Sequence, residues 1–199
     1  MPQNAEEIRS FIAIELPDDV RKGLAQLRKE LKRDEHRFVK WVDSDGIHLT
    51  LKFLGNIPPR LVSEITGAME AAARGIAPFV IEISGLGAFP RLEQVRVVWV
   101  GVSDEAHRLK DLQHGIDAEL ATLGFAREER PFVPHLTLAR VRQGASPSER
   151  RSLGELLRAA VFEDKYSVRV EAISLMRSQL TPAGAIYTRL SEVQLSNRS

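Results

Sequence analysis

The sequence has 199 residues, a length that fits one domain or two small lobes, and 43% of them are hydrophobic, too many for intrinsic disorder. With 28 Lys+Arg against 27 Asp+Glu the formal net charge is +1, which excludes coating a polyanion by bulk electrostatics and leaves only local contact with one. The absence of cysteine excludes disulfides, thiol nucleophiles, Cys-ligated zinc and iron–sulfur clusters.

The first apolar run, 11–16, has the length of a buried strand. Pro17-Asp18-Asp19 ends it and opens a helix whose apolar stripe is Val20, Leu24, Leu27 and Leu31. Its cations, Arg21, Lys22, Arg28, Lys29, Lys32 and Arg33, form a solvated face. After Trp41-Val42 and the turn residues at 43–46, the segment 47–55 alternates as a strand. Pro58-Pro59 starts a second helix running to about Gly75. A strand is expected at 79–83, with Gly85 and Gly87 marking the turn after it, and another at 95–102. Ser103-Asp104 caps a third helix ending near Gly124, and Phe132-Val133-Pro134 leads into a strand at 135–138. Ser146-Pro147-Ser148-Glu149 carries the marks of a helix start: a Ser cap, Pro at the first helical position and Glu three residues after the cap. That helix is expected to end near Val161, followed by strands at 167–176 and 185–193 around a turn at 181–184.

The tetrapeptide His-Leu-Thr-Leu occurs at 48 and again at 135, an offset of 87 residues. The same offset carries Ile12 onto Trp99 and Ile81 onto Val168, so strand, helix, His-strand, helix, strand is laid down twice. The expected fold is α+β: two pseudo-twofold-related lobes, each a mainly antiparallel sheet with two helices, around a central cleft. The domain is expected at 8–193, with repeats at about 11–87 and 95–176 and an extra final strand at 185–193. The segments 1–7 and 194–199 are expected as flexible ends.

Residues i and i+2 of a strand share a face. His48 and Thr50 therefore point one way, and Leu49, Leu51 and Phe53 point to a core. His135 and Thr137 repeat the outward pair, with Leu136 and Leu138 inward. Packing explains the leucines but not histidine and threonine on the opposite face. Two imidazoles and two hydroxyls about one cleft suit a phosphodiester. One neutral His can take a proton from water while the other, protonated, gives one to the leaving oxygen. The hydroxyls can bind the non-bridging oxygens. This chemistry needs no metal and no cofactor.

The sequence resembles the two-histidine phosphoesterases, specifically the RNA 2′,3′-cyclic phosphodiesterases also called 2′-5′ RNA ligases. The matching stretches are 11–17, 41–42, 48–55, 85–90, 130–141 and 180–188, nearly the whole chain. The resemblance implies hydrolysis of RNA 2′,3′-cyclic phosphate ends to 2′-phosphomonoesters, with His48 as proton donor and His135 as proton acceptor. It also implies reverse 2′-5′ ligation, an RNA hydroxyl replacing water. Arg177 stands where the family pattern leads one to expect an acidic or neutral residue. The partner is then an RNA end or oligonucleotide bearing a cyclic phosphate, met by a monomer.

Further candidates surround the motifs. Lys52 shares the parity of His48 and Thr50, and could reach the cleft rim or simply end an exposed strand. Arg140 falls on the inward parity and reaches the cleft only if a bulge re-aims it, although the family pattern retains an arginine there. Arg130 can meet a phosphate from its loop, or pair with Glu128 or Glu129. Phe11, Phe132 and Tyr187 can stack on a base or belong to the core. His36, His107 and His114 belong to the surface. No apolar run approaches the ~20 residues of a membrane span. The polar, acidic start at 1–7 resembles no secretory or transit peptide, so a cytoplasmic protein without membrane association is expected.

Three rival functions keep parts of this pattern. One is a related enzyme, such as a 2′-5′ oligonucleotide phosphodiesterase. The second is an RNA-end-binding module without turnover. The third is a metallohydrolase, for which neither motif has an Asp or Glu at a neighbouring outward position.

Overall fold

A computed structural model of the chain describes residues 7–32, 37–160, 162, 164–182 and 184–197. Arg33 and His36, assigned above to the surface, and Val161, expected as a helix end, lie outside these residues, as do 1–6 and 198–199. In chain order the elements are β1 (Ile8–Glu15), α1 (Asp18–Leu31), β2 (Val39–Trp41), β3 (His48–Ile57), α2 (Val62–Ala73), β4 (Phe79–Phe89) and β5 (Val97–Ser103). They continue with α3 (Arg108–Thr122), β6 (His135–Val141), α4 (Pro147–Ala159), β7 (Tyr166–Val170), β8 (Ala172–Thr181) and β9 (Gly184–Gln194).

Local chemistry accounts for most helix ends. In α1, Val20, Leu24, Leu27 and Leu31 are all buried, as their spacing requires. The start of α4 is a full capping box: Ser146 Oγ accepts from the Glu149 amide at 3.3 Å, and the Ser146 amide donates to Glu149 Oε2 at 2.6 Å. Before α3, Asp104 Oδ2 accepts from the Leu109 amide at 2.7 Å. Gly124, with φ +90°, turns the chain away after that helix.

The strands form one antiparallel sheet in the order β7-β4-β5-β6-β3-β1-β8-β9, with β2 added on β6. Its middle is thin, because β3 and β6 share the single register pair Leu49–Leu136. Both leucines are fully buried. Outward from that seam lie β3, β1, β8, β9 on one side and β6, β5, β4, β7 on the other, so the expected α+β fold with two related halves is what forms. The core is continuous through both halves and under the helices. Gly23 of α1 lies against the ring of Tyr166 in β7, where a Cβ would fall 1.9 Å from its Oη. The helix that follows β1 thus leans on the opposite half.

Four expectations change. Gly85 and Gly87 do not end the strand; β4 runs on to Phe89, and Gly85, at φ +72°, sits at a register shift between Ser84 and Leu86, a bulge rather than a turn. The segment 167–176 is two strands broken at Glu171, because β7 pairs with β4 whereas β8 pairs with β1. Ile81 and Val168, related by the 87-residue offset, are cross-strand neighbours rather than equivalents; the strand order makes β8 the counterpart of β4 and β9 that of β7. Finally, 194–196 is not a loose end. Leu195 is buried, its amide donates to the Glu171 carbonyl at 2.7 Å, and Ser196 bridges to Arg74.

Candidate active site

At the seam the two halves diverge and leave a cleft of about 1120 Å³. His48 and Thr50 of β3 and His135 and Thr137 of β6 all line it, while Leu49, Leu136 and Leu138 are buried behind them. Strand parity on either side of one Leu–Leu pair therefore delivers both His-x-Thr units to the same space.

Each imidazole is oriented by a carbonyl two residues upstream. His135 Nδ1 lies 2.7 Å from the Val133 carbonyl oxygen. A carbonyl only accepts, so in the neutral ring Nδ1 carries the hydrogen and Nε2 is the bare acceptor. Phe89 meets the His135 ring edge-on at 4.9 Å, and Trp99 lies at 6.5 Å. His48 bonds to the Gly46 carbonyl, stacks on Phe11 at 4.5 Å and meets Tyr187 edge-on at 5.0 Å. Burial between these rings pushes the His48 imidazole down to about 4, against the opposing pull of the Gly46 carbonyl and of Glu15. Glu15 itself accepts from Ser174 Oγ at 2.6 Å and Arg189 Nε at 2.7 Å.

Two equivalent bulges shape the rest of the lining. In β3 the register with β1 skips Leu51, and in β6 the register with β5 skips Leu138. Each bulge reverses the parity beyond it. Arg140 is thereby swung from the expected core side into the cleft. Phe53, its counterpart 87 residues earlier, was expected in the core but is 65% exposed and also lines the cleft. Lys52 borders the cleft, as one of its two readings had it, but it is not on an exposed rim. It is 7% exposed, its Nζ donates to Ala126 O at 2.6 Å, and it pairs with the Asp117 carboxylate.

Arg130, Phe132 and Tyr187 line the cleft. The alternative pairing for Arg130 is not made by its guanidinium; its backbone amide donates to Glu128 Oε1 at 3.3 Å. Phe11 also borders the cleft and, at 3% exposure, stacks on His48. Arg177 does not remove β8 from the site, since Ser178 and Leu180 of that strand reach the cleft. Sequence reasoning missed Arg9, Phe53, Phe89 and the buried Gln113 as lining residues. For Phe53 a signal existed, the 87-residue offset from Arg140.

Two strands presenting paired His-x-Thr units across a cleft with arginines on its walls define a phosphoesterase-type site. The LigT like Phosphoesterase family matches the chain twice, over residues 14–99 and 100–187, and the chain belongs to that family. A Methanothermobacter thermautotrophicus RNA 2′,3′-cyclic phosphodiesterase is 38% identical over 95% of this chain and 100% of its own length. One from Thermotoga maritima is 34% identical over 94% and 95%. Among solved structures, TT0787 of Thermus thermophilus superposes with a TM-score of 0.75 at 30% identity, covering 94% of this chain and 98% of that one. E. coli LigT complexed with 3′-AMP gives 0.76 at 25% identity, covering 96% and 99%.

Proposed function

We propose that the protein hydrolyses RNA 2′,3′-cyclic phosphate ends to 2′-phosphomonoesters, with His135 as general base and His48 as general acid. The observation that carries this reading is the delivery of both His-x-Thr units to one cleft by the Leu49–Leu136 seam. Relatives of similar length are RNA 2′,3′-cyclic phosphodiesterases, which supports the substrate class.

His135 Nε2 takes a proton from the attacking water as its oxygen bonds to phosphorus. The P–O3′ bond breaks, and O3′ receives the His48 proton. Thr50 and Thr137 hydrogen-bond the non-bridging oxygens as charge grows on them, and Arg130 and Arg140 offset the phosphate's charge. Before substrate binds, at neutral pH, His48 is uncharged, since its burial holds it at about 4. A bound phosphodiester anion beside it favours the imidazolium. The acid role therefore requires that His48 take up a proton together with the substrate.

No group of three His, Cys, Asp or Glu among the described residues is placed to hold a metal ion. The test is product analysis on a short RNA ending in a 2′,3′-cyclic phosphate, with chelator present. A 2′-phosphate should appear, and H48A and H135A should each lower kcat by about 10²- to 10⁴-fold. Release of a 3′-phosphate, loss of turnover on chelation, or full activity in either variant would overturn the assignment.

A further inference from the structure

Lys52 is an unusual residue for its place. It is a buried cation in the hydrophobic His-Leu-Thr-Leu-Lys-Phe-Leu run, and the equivalent position in the second motif is Ala139, fully buried and apolar. Packing at that position is therefore met without a charge, and the lysine asks for a different account.

Its contacts supply one. Nζ donates to the Ala126 carbonyl at 2.6 Å and to Asp117 of α3. The Asp117 carboxylate in turn accepts from the Glu128 amide at 3.2 Å. Burial alone would raise Asp117, but Lys52 and that amide outweigh it and hold the carboxyl below its usual range. Two points of the 126–128 loop are thus pinned, one to β3 and one to α3. The Glu128 side chain then accepts from the Arg130 amide, and Arg130, Pro131 and Phe132 continue along the cleft wall to His135.

We propose that Lys52 is a positioning residue: with Asp117 it latches the 126–128 loop so that Arg130 stands over the phosphate. This deepens the functional reading above and rests on it. The latch reaches from the first motif to the loop that enters the second, and the alanine at the equivalent position cannot repeat it, so it makes the two sides of the cleft unequal. Replacing a whole buried ion pair by apolar residues costs little, whereas removing one partner strands the other charge. Lys52→Met therefore lowers stability by stranding the Asp117 carboxylate, and its kinetics are read well below its melting temperature and against Lys52→Arg, which keeps the charge.

The experiment compares the wild type with K52M, K52R, R130A and K52M/R130A on a short cyclic-phosphate RNA. Thermal melting is recorded for each. R130A removes one charge-assisted phosphate contact and should raise KM by about 10- to 100-fold. K52M should raise KM by a similar factor with kcat within about twofold, K52R should recover part of the loss, and the double variant should be no worse than R130A alone. A KM for K52M within about twofold of wild type, additive effects in the double variant, or a fall in kcat at unchanged KM would overturn the latch. The same proteins titrated with adenosine 2′-monophosphate keep the two readings apart. A wild type that binds this nucleotide without turning over cyclic ends refutes the enzyme. Equal affinity of K52M and wild type for it refutes the latch.

Discussion

Single residues at this site differ mainly in how they are held. His135 is tethered by Nδ1 and left with an open Nε2, whereas His48 is enclosed by Phe11 and Tyr187. The enclosure bears on stability as well as catalysis. His48 has its folded value lowered to about 4 from an unfolded value near ~6.5, so the unfolded chain binds more protons between those limits. Stability should then be full above about pH 6.5 and fall as the pH drops toward 4, by on the order of 3 kcal/mol at the low end. His48→Gln removes this titration while leaving Glu15 and Asp117 in place. Denaturant unfolding at pH 7 and pH 5 should show the wild type losing more stability than H48Q; parallel losses would refute it. The facing of His48, Thr50, His135 and Thr137 was legible because period-2 alternation holds up to each threonine. Lys52 was not, because its partners Asp117 and Ala126 lie 65 and 74 residues away and no local pattern announces them.

Elements were legible where local chemistry decides them. The Ser146–Glu149 box and the stripe on α1 are local, and both are found as expected. Alternation fails where a strand gains one residue against its neighbour, which depends on pairing rather than on the strand itself. That is why Phe53 and Arg140 emerged on the cleft face and why Gly85 proved to be a bulge. The break at Glu171 is of the same kind, a change of partner between β7 and β8 that composition does not record. The seam is the element-scale weak point. Leu136→Ala at this fully buried position should cost about 2–5 kcal/mol. For a chain of this size that is a melting temperature lower by roughly 4–20 °C, seen by calorimetry or circular dichroism. A shift under about 2 °C would mean that the seam is not needed to join the halves.

Across the whole molecule, the proposed function sets balanced charge and a cleft with few cations against an RNA end. Arg9, Arg130 and Arg140 line the cleft, and the formal net charge is only +1. Engagement of one to three phosphates predicts a slope of log(1/KM) against log salt between about −0.7 and −2 for a single-stranded end. A slope steeper than about −4, measured over roughly 50–300 mM salt, would reveal a long backbone track instead. The order of strands in the sheet also governs how the molecule can be assembled on a ribosome. All four strands of one half, β4 to β7, lie consecutively between residues 79 and 170, so that half can pair completely as soon as its own stretch has emerged. The other half cannot, because β1 waits for β8, and β8 for β9, more than a hundred residues later in synthesis. Until then β1, the strand that backs His48 with Phe11, has an open edge, and the nascent chain has one finished wall of the cleft and one unfinished.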